Sequence, residues 1–336
     1  MKNLNPAVIR LAHPLAFARF LRHIGAPVEG YFRRQGLPTL CKDPNAFVSL
    51  RMAWGVFHDA ARREDCDIGW HVGRFAGDHR LSGPLLKKLE DAPTLYQALR
   101  RLVRMVNSEA SHLKVGIVRR QFGILFYTHY PGMRDEPGYR ESQSYQLEVY
   151  TDLVRHFARR HWVPDEIGIE APEAPALLRD RFPECRIRVN QPRGYIAIPR
   201  SCLYKKLCSK HKEAQGIVSA ELPLAHQLNY ADILCVLLEP YLQQGYLNLR
   251  FAADLMDTSA RTLSRRLADN GTSYQNLVEE LRFRKSCDLL REPGRPISYV
   301  AWSVGFNDQA NYTRMFRRVA GIGPLEFRRA ELRTLH

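Results

Sequence analysis

At 336 residues, with 45% hydrophobic and 25% charged side chains, the chain is long enough for two or three domains that each bury a core. A formal net charge of +15 favours a polyanionic partner, nucleic acid or an anionic membrane. The odd count of 7 cysteines with no C-x-x-C pair argues against a disulfide framework or a compact zinc site, and no apolar run reaches the length of a membrane span.

In chain order, PLAFARFLRHIG carries Leu15, Phe17, Phe20, Leu21 and Ile24 near helical spacing and ends at Gly25. A second helix is expected over 46–63, started by Asp43-Pro44-Asn45. A third is expected behind Thr94, with Leu95, Leu99, Leu102, Val103 and Val106 on one stripe. Between these lies a stretch with Gly69, Gly73, Gly77 and Gly83. It lacks the spacing of a phosphate loop, so the glycines are expected to serve helix packing and turns. From Leu113 the period changes. LKVGIVR and FGILFYT predict a hairpin, 131–138 a loop, and 143–160 an amphipathic helix. Three short strands follow at 166–170, 186–190 and 194–199, which makes 1–204 an α+β domain with about five strands. Residues 205–228 form a basic linker, with Lys205, Lys206, Lys210, His211 and Lys212.

Residues 229–336 contain no predicted strand. A helix reaches Gly245, and a pattern then appears twice: an apolar-periodic helix, a turn, and a second helix rich in Arg, Ser, Thr, Gln and Asn. In the first copy Phe251, Ala252 and Leu255 pack, Ser259 caps, and Leu263 and Leu267 face inward. Arg261, Thr262, Ser264, Arg265 and Arg266 lie on the other faces. A long helix starting at a Thr272/Gln275 capping box and stopped by Glu292-Pro293-Gly294 joins the copies. In the second copy Ile297, Val300, Ala301 and Val304 pack, Gly305 turns, and Asn307 or Asp308 caps. Tyr312, Phe316 and Val319 then pack, leaving Gln309, Ala310, Asn311, Thr313, Arg314, Arg317 and Arg318 outward. Arginine reaches guanine O6 and N7 through paired hydrogen bonds, and Gln or Asn reads adenine the same way, so each copy is a helix-turn-helix suited to a major groove. The segment from Ala231 onward carries 15 Lys/Arg against 12 Asp/Glu, only +3 of the +15, so the pattern rather than the charge locates the site.

RTLSRRLADNGTSYQNLVEELRFRKSCDLL, PISYVAWSVGFNDQANYTRMFRRVAG and the terminal GPLEFRR resemble the DNA-binding domain of AraC/XylS-family bacterial transcription regulators over about a hundred residues. The resemblance implies two helix-turn-helix units on successive major-groove segments. The base-facing positions fall on Arg261, Ser264 and Arg265, then on Gln309, Ala310, Asn311, Thr313 and Arg314, with Thr262 beside the first set. Two departures stand out. Asp257 occupies a turn position where the family usually has glycine, and Asp tolerates a left-handed backbone. Ala310 replaces a longer polar residue, so the second reader either discriminates less or touches a thymine methyl. The first unit is therefore expected to supply most of the specificity.

DAPTLYQALRRLVRMVN and the helix–strand order up to IAIPRSCL resemble the arabinose-binding-like effector domain of the same family. This implies effector binding, homodimerisation or both, and an activator that works through RNA polymerase on double-stranded promoter DNA. Trp54, Trp70, Tyr127 and Tyr145 are the candidate pocket residues, with a place in the core as the competing reading. No catalytic constellation, cofactor motif or metal set emerges from the histidines or cysteines, and no signal peptide is read at the N-terminus, so a non-enzymatic cytoplasmic protein is expected. Two other readings stay open: a ligand-independent dimeric regulator, and an enzyme fused to a DNA-binding module.

Overall fold

The computed structural model describes residues 6–41, 43–64, 66–75, 89, 91–158, 161–206, 228–245, 247–292 and 294–334. Most of the expected linker, with Cys208, Lys210, His211 and Lys212, lies outside the described residues, as do Gly77, Gly83 and Pro293. Contacts divide the chain into two compact units. One comprises Ala7–Leu37 and Asp43–Gln227, the other Met1–Pro6, Pro38–Lys42 and Leu228–His336.

The first unit is α+β. It opens with β1 (Val8–Arg10), α1 (Ala12–His23) and α2 (Val28–Arg34), then β2 (Phe47–Ser49), α3 (Leu50–Arg63) and α4 (Ile68–Phe75). The strands β1 and β2 pair antiparallel, with Ile9 opposite Val48. Here the helix expected from residue 46 is corrected: Phe47–Ser49 is a strand, and Asp43-Pro44-Asn45 is a turn in which the Asn45 amide donates to the Asp43 carboxylate at 2.9 Å. Three residues per strand are too few for a period to register in the sequence. Next come α5 (Leu95–Met105), capped as expected by Thr94, whose hydroxyl accepts from the Gln97 amide, then β3 (Lys114–Arg120) and β4 (Gly123–His129).

The long helix α6 (Tyr139–Phe157) starts four residues earlier than its apolar pattern indicates. It is followed by β5 (Glu166–Gly168), α7 (Ala176–Arg181), β6 (Arg186–Arg188), β7 (Gly194–Pro199) and α8 (Arg200–Leu203). The five-stranded sheet runs β3-β4-β7-β5-β6; all its pairs are antiparallel except β5 with β6. Helix α6 lies between this sheet and the layer of α3 and α4. Gly69 and Gly73 make the close approach of α4 possible: a Cβ on either would run into the Glu141 carbonyl or the Glu148 side chain. Both glycines thus serve helix packing, and α4 is the helix they belong to.

Because α6 is buried on more than one face, its polar residues are paired rather than solvated. Thr128 donates to Gln146 at 2.7 Å, and Tyr139 and Gln143 donate to the buried Glu170 carboxylate at 2.6 and 2.9 Å. The buried Glu148 meets Arg181 and Arg155. Such groups stay inside when hydrogen bonds or ion pairs offset their desolvation, as Glu148 Oε1 does by meeting both arginines.

The second unit is helical: α9 (Tyr230–Leu238) with a 3-10 turn over Glu239–Gln244, α10 (Leu249–Leu255), α11 (Ala260–Asp269), α12 (Tyr274–Arg291), α13 (Ile297–Ser303), α14 (Gln309–Ala320) and α15 (Pro324–Thr334). No strand occurs among its described residues. Leu263 and Leu267 of α11 are fully buried, and so are Val300, Val304, Tyr312 and Phe316 around α13 and α14. Val319 is a correction, since it is 43% exposed where its spacing predicted packing; Met315 takes the inward position.

Candidate nucleic-acid interface

The caps set where each outward-facing helix begins. Asn248 caps α10, accepting from the Phe251 amide at 2.8 Å. The chain then turns through Asp257, whose φ of +48° is the left-handed conformation a glycine would adopt more easily. Ser259 caps α11 by accepting from the Thr262 amide at 3.2 Å, and the Ser259 hydroxyl also donates to the Thr262 hydroxyl at 2.9 Å. On α14 the cap is Asp308, whose carboxylate accepts from the Ala310 and Asn311 amides, each at 3.1 Å. Gly305, at φ +84°, turns the chain beforehand, and a Cβ there would collide with the Leu242 carbonyl.

With Leu263 and Leu267 fixed inward, Arg261, Ser264 and Arg265 are exposed on α11 and Thr262 is half-buried by its cap. Arg266 is drawn off this face and lies over the Tyr230 ring, 5.0 Å from its centroid. On α14, Gln309, Ala310, Asn311 and Arg314 are exposed. Thr313 is half-buried and bonds back to the Gln309 carbonyl at 2.8 Å. Arg314 donates to the Asn311 side-chain oxygen, so two of the expected readers already hold each other one turn apart.

Several residues that shape this surface had no signal in the sequence. The cap of α12 is Ser273, accepting from the Asn276 amide at 3.2 Å, and not Thr272 with Gln275. Arg282 is half-buried and bonds the Gly245 carbonyl at 2.7 Å while its guanidinium covers Phe306 at 5.0 Å; burial lowers its pKa from the ordinary arginine value. Tyr274 donates to the Leu247 carbonyl at 3.0 Å. Glu279 receives Arg318 through two bonds, Nε at 2.9 Å and Nη2 at 2.7 Å. Arg318 is therefore engaged within the protein, whereas Arg317 remains outward.

The four aromatic candidates of the α+β unit do not converge. Trp54 and Trp70 are buried on α3 and α4, Trp54 meeting Tyr130 and Tyr139 edge-on at 4.9 and 5.6 Å. Tyr127 lies on β4 beneath the Arg193 guanidinium, 4.5 Å away. Tyr145 alone of the four lines a cavity of about 30 Å³ in this unit, where it meets His13 Nδ1 at 3.3 Å; His13 Nε2 faces the buried Glu109 at 3.2 Å. Tyr130 and Tyr150 line the same space, and burial pushes both phenols well above their ordinary value. No group of three or more His, Cys, Asp or Glu among the described residues could hold a metal ion, and no described helix is long and apolar enough to cross a membrane.

Two capped helices presenting Arg, Ser, Asn and Gln from one helical unit define a helix-turn-helix DNA-binding protein. Comparison with known proteins agrees. Residues 252–330 match the family described as "Helix-turn-helix domain", and residues 25–207 match "Arabinose-binding domain of AraC transcription regulator, N-term". The chain belongs to the AraC family of transcription regulators, in the branch with an arabinose-binding-type N-terminal domain. It is 25% identical over 338 residues to the HTH-type transcriptional regulator VirS of Mycobacterium tuberculosis, covering 96% of each chain. It is 36% identical over 77 residues to the HTH-type transcriptional activator RhaS of Escherichia fergusonii, covering 23% of this chain and 28% of that one. The solved transcriptional regulator CdpR from Pseudomonas aeruginosa aligns with 90% of this chain and 96% of its own at 17% identity, with a TM-score of 0.37.

Proposed function

We propose that this transcription regulator reads an asymmetric promoter site with two helix-turn-helix units, α10–α11 and α13–α14, joined by α12. Arg261, Thr262, Ser264 and Arg265 face one major-groove segment, and Gln309, Ala310, Asn311, Thr313 and Arg314 face the next. The observation that carries this reading is that both helices are capped at their base-facing ends and bury one apolar stripe (Leu263 and Leu267; Tyr312, Met315 and Phe316), leaving the arginines, Ser264, Gln309, Ala310 and Asn311 outward and the two threonines half-buried. Ala310 offers no hydrogen bond, and Arg314 is bonded to Asn311, so the first unit supplies most of the specificity.

On this reading residues 1–204 form the effector and dimerisation domain, 205–228 the linker and 229–336 the DNA-binding domain. Effector binding changes promoter occupancy and the recruitment of RNA polymerase, with activation as the outcome. RhaS, named as a transcriptional activator, supports that direction. A dimer that needs no ligand is the second reading, in which the buried Trp54, Trp70 and Tyr145 serve the core.

Arg265→Ala and Arg314→Ala test the interface by titration against a duplex selected from a random library. Each should weaken binding to the selected site by ~1–3 kcal/mol and relax base preference at one position. Equal losses on selected and random DNA would assign these arginines to phosphate and sink the base-reading claim. Thermal shift against cell metabolites separates the two readings of the upstream domain: a gating effector must raise the melting temperature, and a ligand-independent dimer gains nothing.

A further inference from the structure

The outward stripe of α14 does not stop at Arg314. Asn311, Arg314 and Arg318 stand three and four residues apart, so they share one helical face. All three line the groove between α12 and α14, together with Gln275, Glu279 and Arg282. Among the described residues Arg318 is the most solvent-accessible partner of the inter-helix ion pairs in this unit, its side chain 70% exposed, yet its Nε and Nη2 both reach Glu279. The paired geometry is the strong form of arginine–carboxylate contact, and it spans two helices 39 positions apart in the chain. A free arginine at the end of a groove-facing stripe would reach a phosphate, because phosphate is the commonest protein contact on duplex DNA.

We propose that Glu279 is a positioning and specificity-setting residue: by holding Arg318 against α12 it withholds one cation from the DNA backbone. This rests on the interface assigned above, in which α14 faces the duplex. Phosphate contacts carry no sequence information, and they dominate binding to random DNA. Keeping Arg318 neutralised therefore lowers affinity for random sequence while leaving Asn311 and Arg314 to read bases.

The test uses the full-length chain and a random-sequence duplex, titrated across a series of salt concentrations. Glu279→Gln keeps the side-chain volume and releases Arg318. The expected result is tighter binding at low salt and a log–log salt dependence steeper by about 0.9, equivalent to ~3.5-fold more affinity lost between about 50 and 200 mM salt. Arg318→Ala in the native background should leave the slope unchanged. The double substitution Glu279→Gln with Arg318→Ala should return the slope to that of the native chain.

Three results overturn the proposal. The slope of Glu279→Gln could match the native chain. Arg318→Ala alone could make the native slope shallower, which would show that Arg318 already touches phosphate. The double variant could keep the steeper slope, which would assign the effect to the Glu279 charge alone. A native chain whose duplex binding ignores salt would instead overturn the interface assignment, so the two failures are distinguishable. Circular dichroism melting of each variant shows whether it is folded, and slopes are compared between folded variants.

Discussion

Asp257 holds a left-handed backbone at φ +48° in the turn before α11, one of two non-glycine residues with positive φ among the described residues. An L side chain resists that conformation because its Cβ crowds the following carbonyl, by roughly 1–2 kcal/mol for an ordinary residue and less for Asp or Asn. Asp257→Ala should therefore lower the unfolding free energy of the helical unit by about 1 kcal/mol, whereas Asp257→Gly should leave it near native. Denaturant midpoints of the two variants decide the matter. Equal losses in both would mean that the carboxylate's contacts, rather than the backbone angle, govern the turn. Arg282 shows the opposite balance at the same scale: its guanidinium is held in a half-buried place by the Gly245 carbonyl and the Phe306 ring.

At the level of single elements, α11 and α14 are set by their caps. Asp308 satisfies two amide donors at the first turn of α14 and places a negative charge at the positive end of the helix. Asp308→Ala should destabilise the unit by about 1 kcal/mol, within a range of roughly 0.5–2 kcal/mol, and Asp308→Asn should recover most of the loss. Thermal melts report both; a neutral Asp308→Ala would mean that water caps the helix as well. This local logic is why α11 and α14 were legible in the sequence, since Ser259, Asp308, Leu263 and Phe316 act on neighbours within one or two turns. The cap of α12 was misread because Thr272 and Ser273 are adjacent and both suited to the task, and only the backbone shows Ser273 accepting the bond. Val319 was misread for a different reason. Its spacing fits the buried stripe, but the packing closes on Met315 and Phe316. In the α+β unit the β-branched runs mark β3 to β7 but not the three-residue β1 and β2, and no pattern marks the burial of Gln143, Gln146 and Glu148 on α6. Their partners Glu170, Thr128 and Arg181 lie 18 to 33 positions away, beyond any local pattern. The Glu279–Arg318 pair, 39 positions apart, likewise leaves no local pattern in the sequence.

The whole molecule combines a pH-sensitive unit with a salt-sensitive one. In the α+β unit, burial lowers the pKa values of His71, His112 and His129 from 6.5. Nearby cations add to this: Arg181 and Arg74 for the first, Lys114 for the second, Arg193 and Lys114 for the third. Below 6.5 the unfolded chain binds more protons at these sites than the folded one, so stability rises with pH there. The stabilisation is present above the unfolded value and is lost as pH falls. Urea midpoints should thus drop between about pH 7 and about pH 5.5, and replacing all three with Gln should flatten that drop. The helical unit answers a different question, whether α12 is stiff enough to act as a ruler. Its first turn is tied to the Leu247 carbonyl by Tyr274, its middle to the Gly245 carbonyl and Phe306 by Arg282, and its side to Glu239 by Lys285 at 2.5 Å. On the proposed interface those ties leave α11 and α14 little freedom to re-space. A selected site should then contain two short segments whose centres lie about one helical turn, ~10.5 bp, apart. Inserting about 5 bp between them rotates one segment to the opposite side of the duplex, and affinity should fall towards the random-DNA level while an insertion of ~10 bp rescues the angle but not the reach. Fluorescence anisotropy on the three duplexes reads this directly. Undiminished binding to the half-turn insertion would mean that one of the two helices contributes nothing to the site.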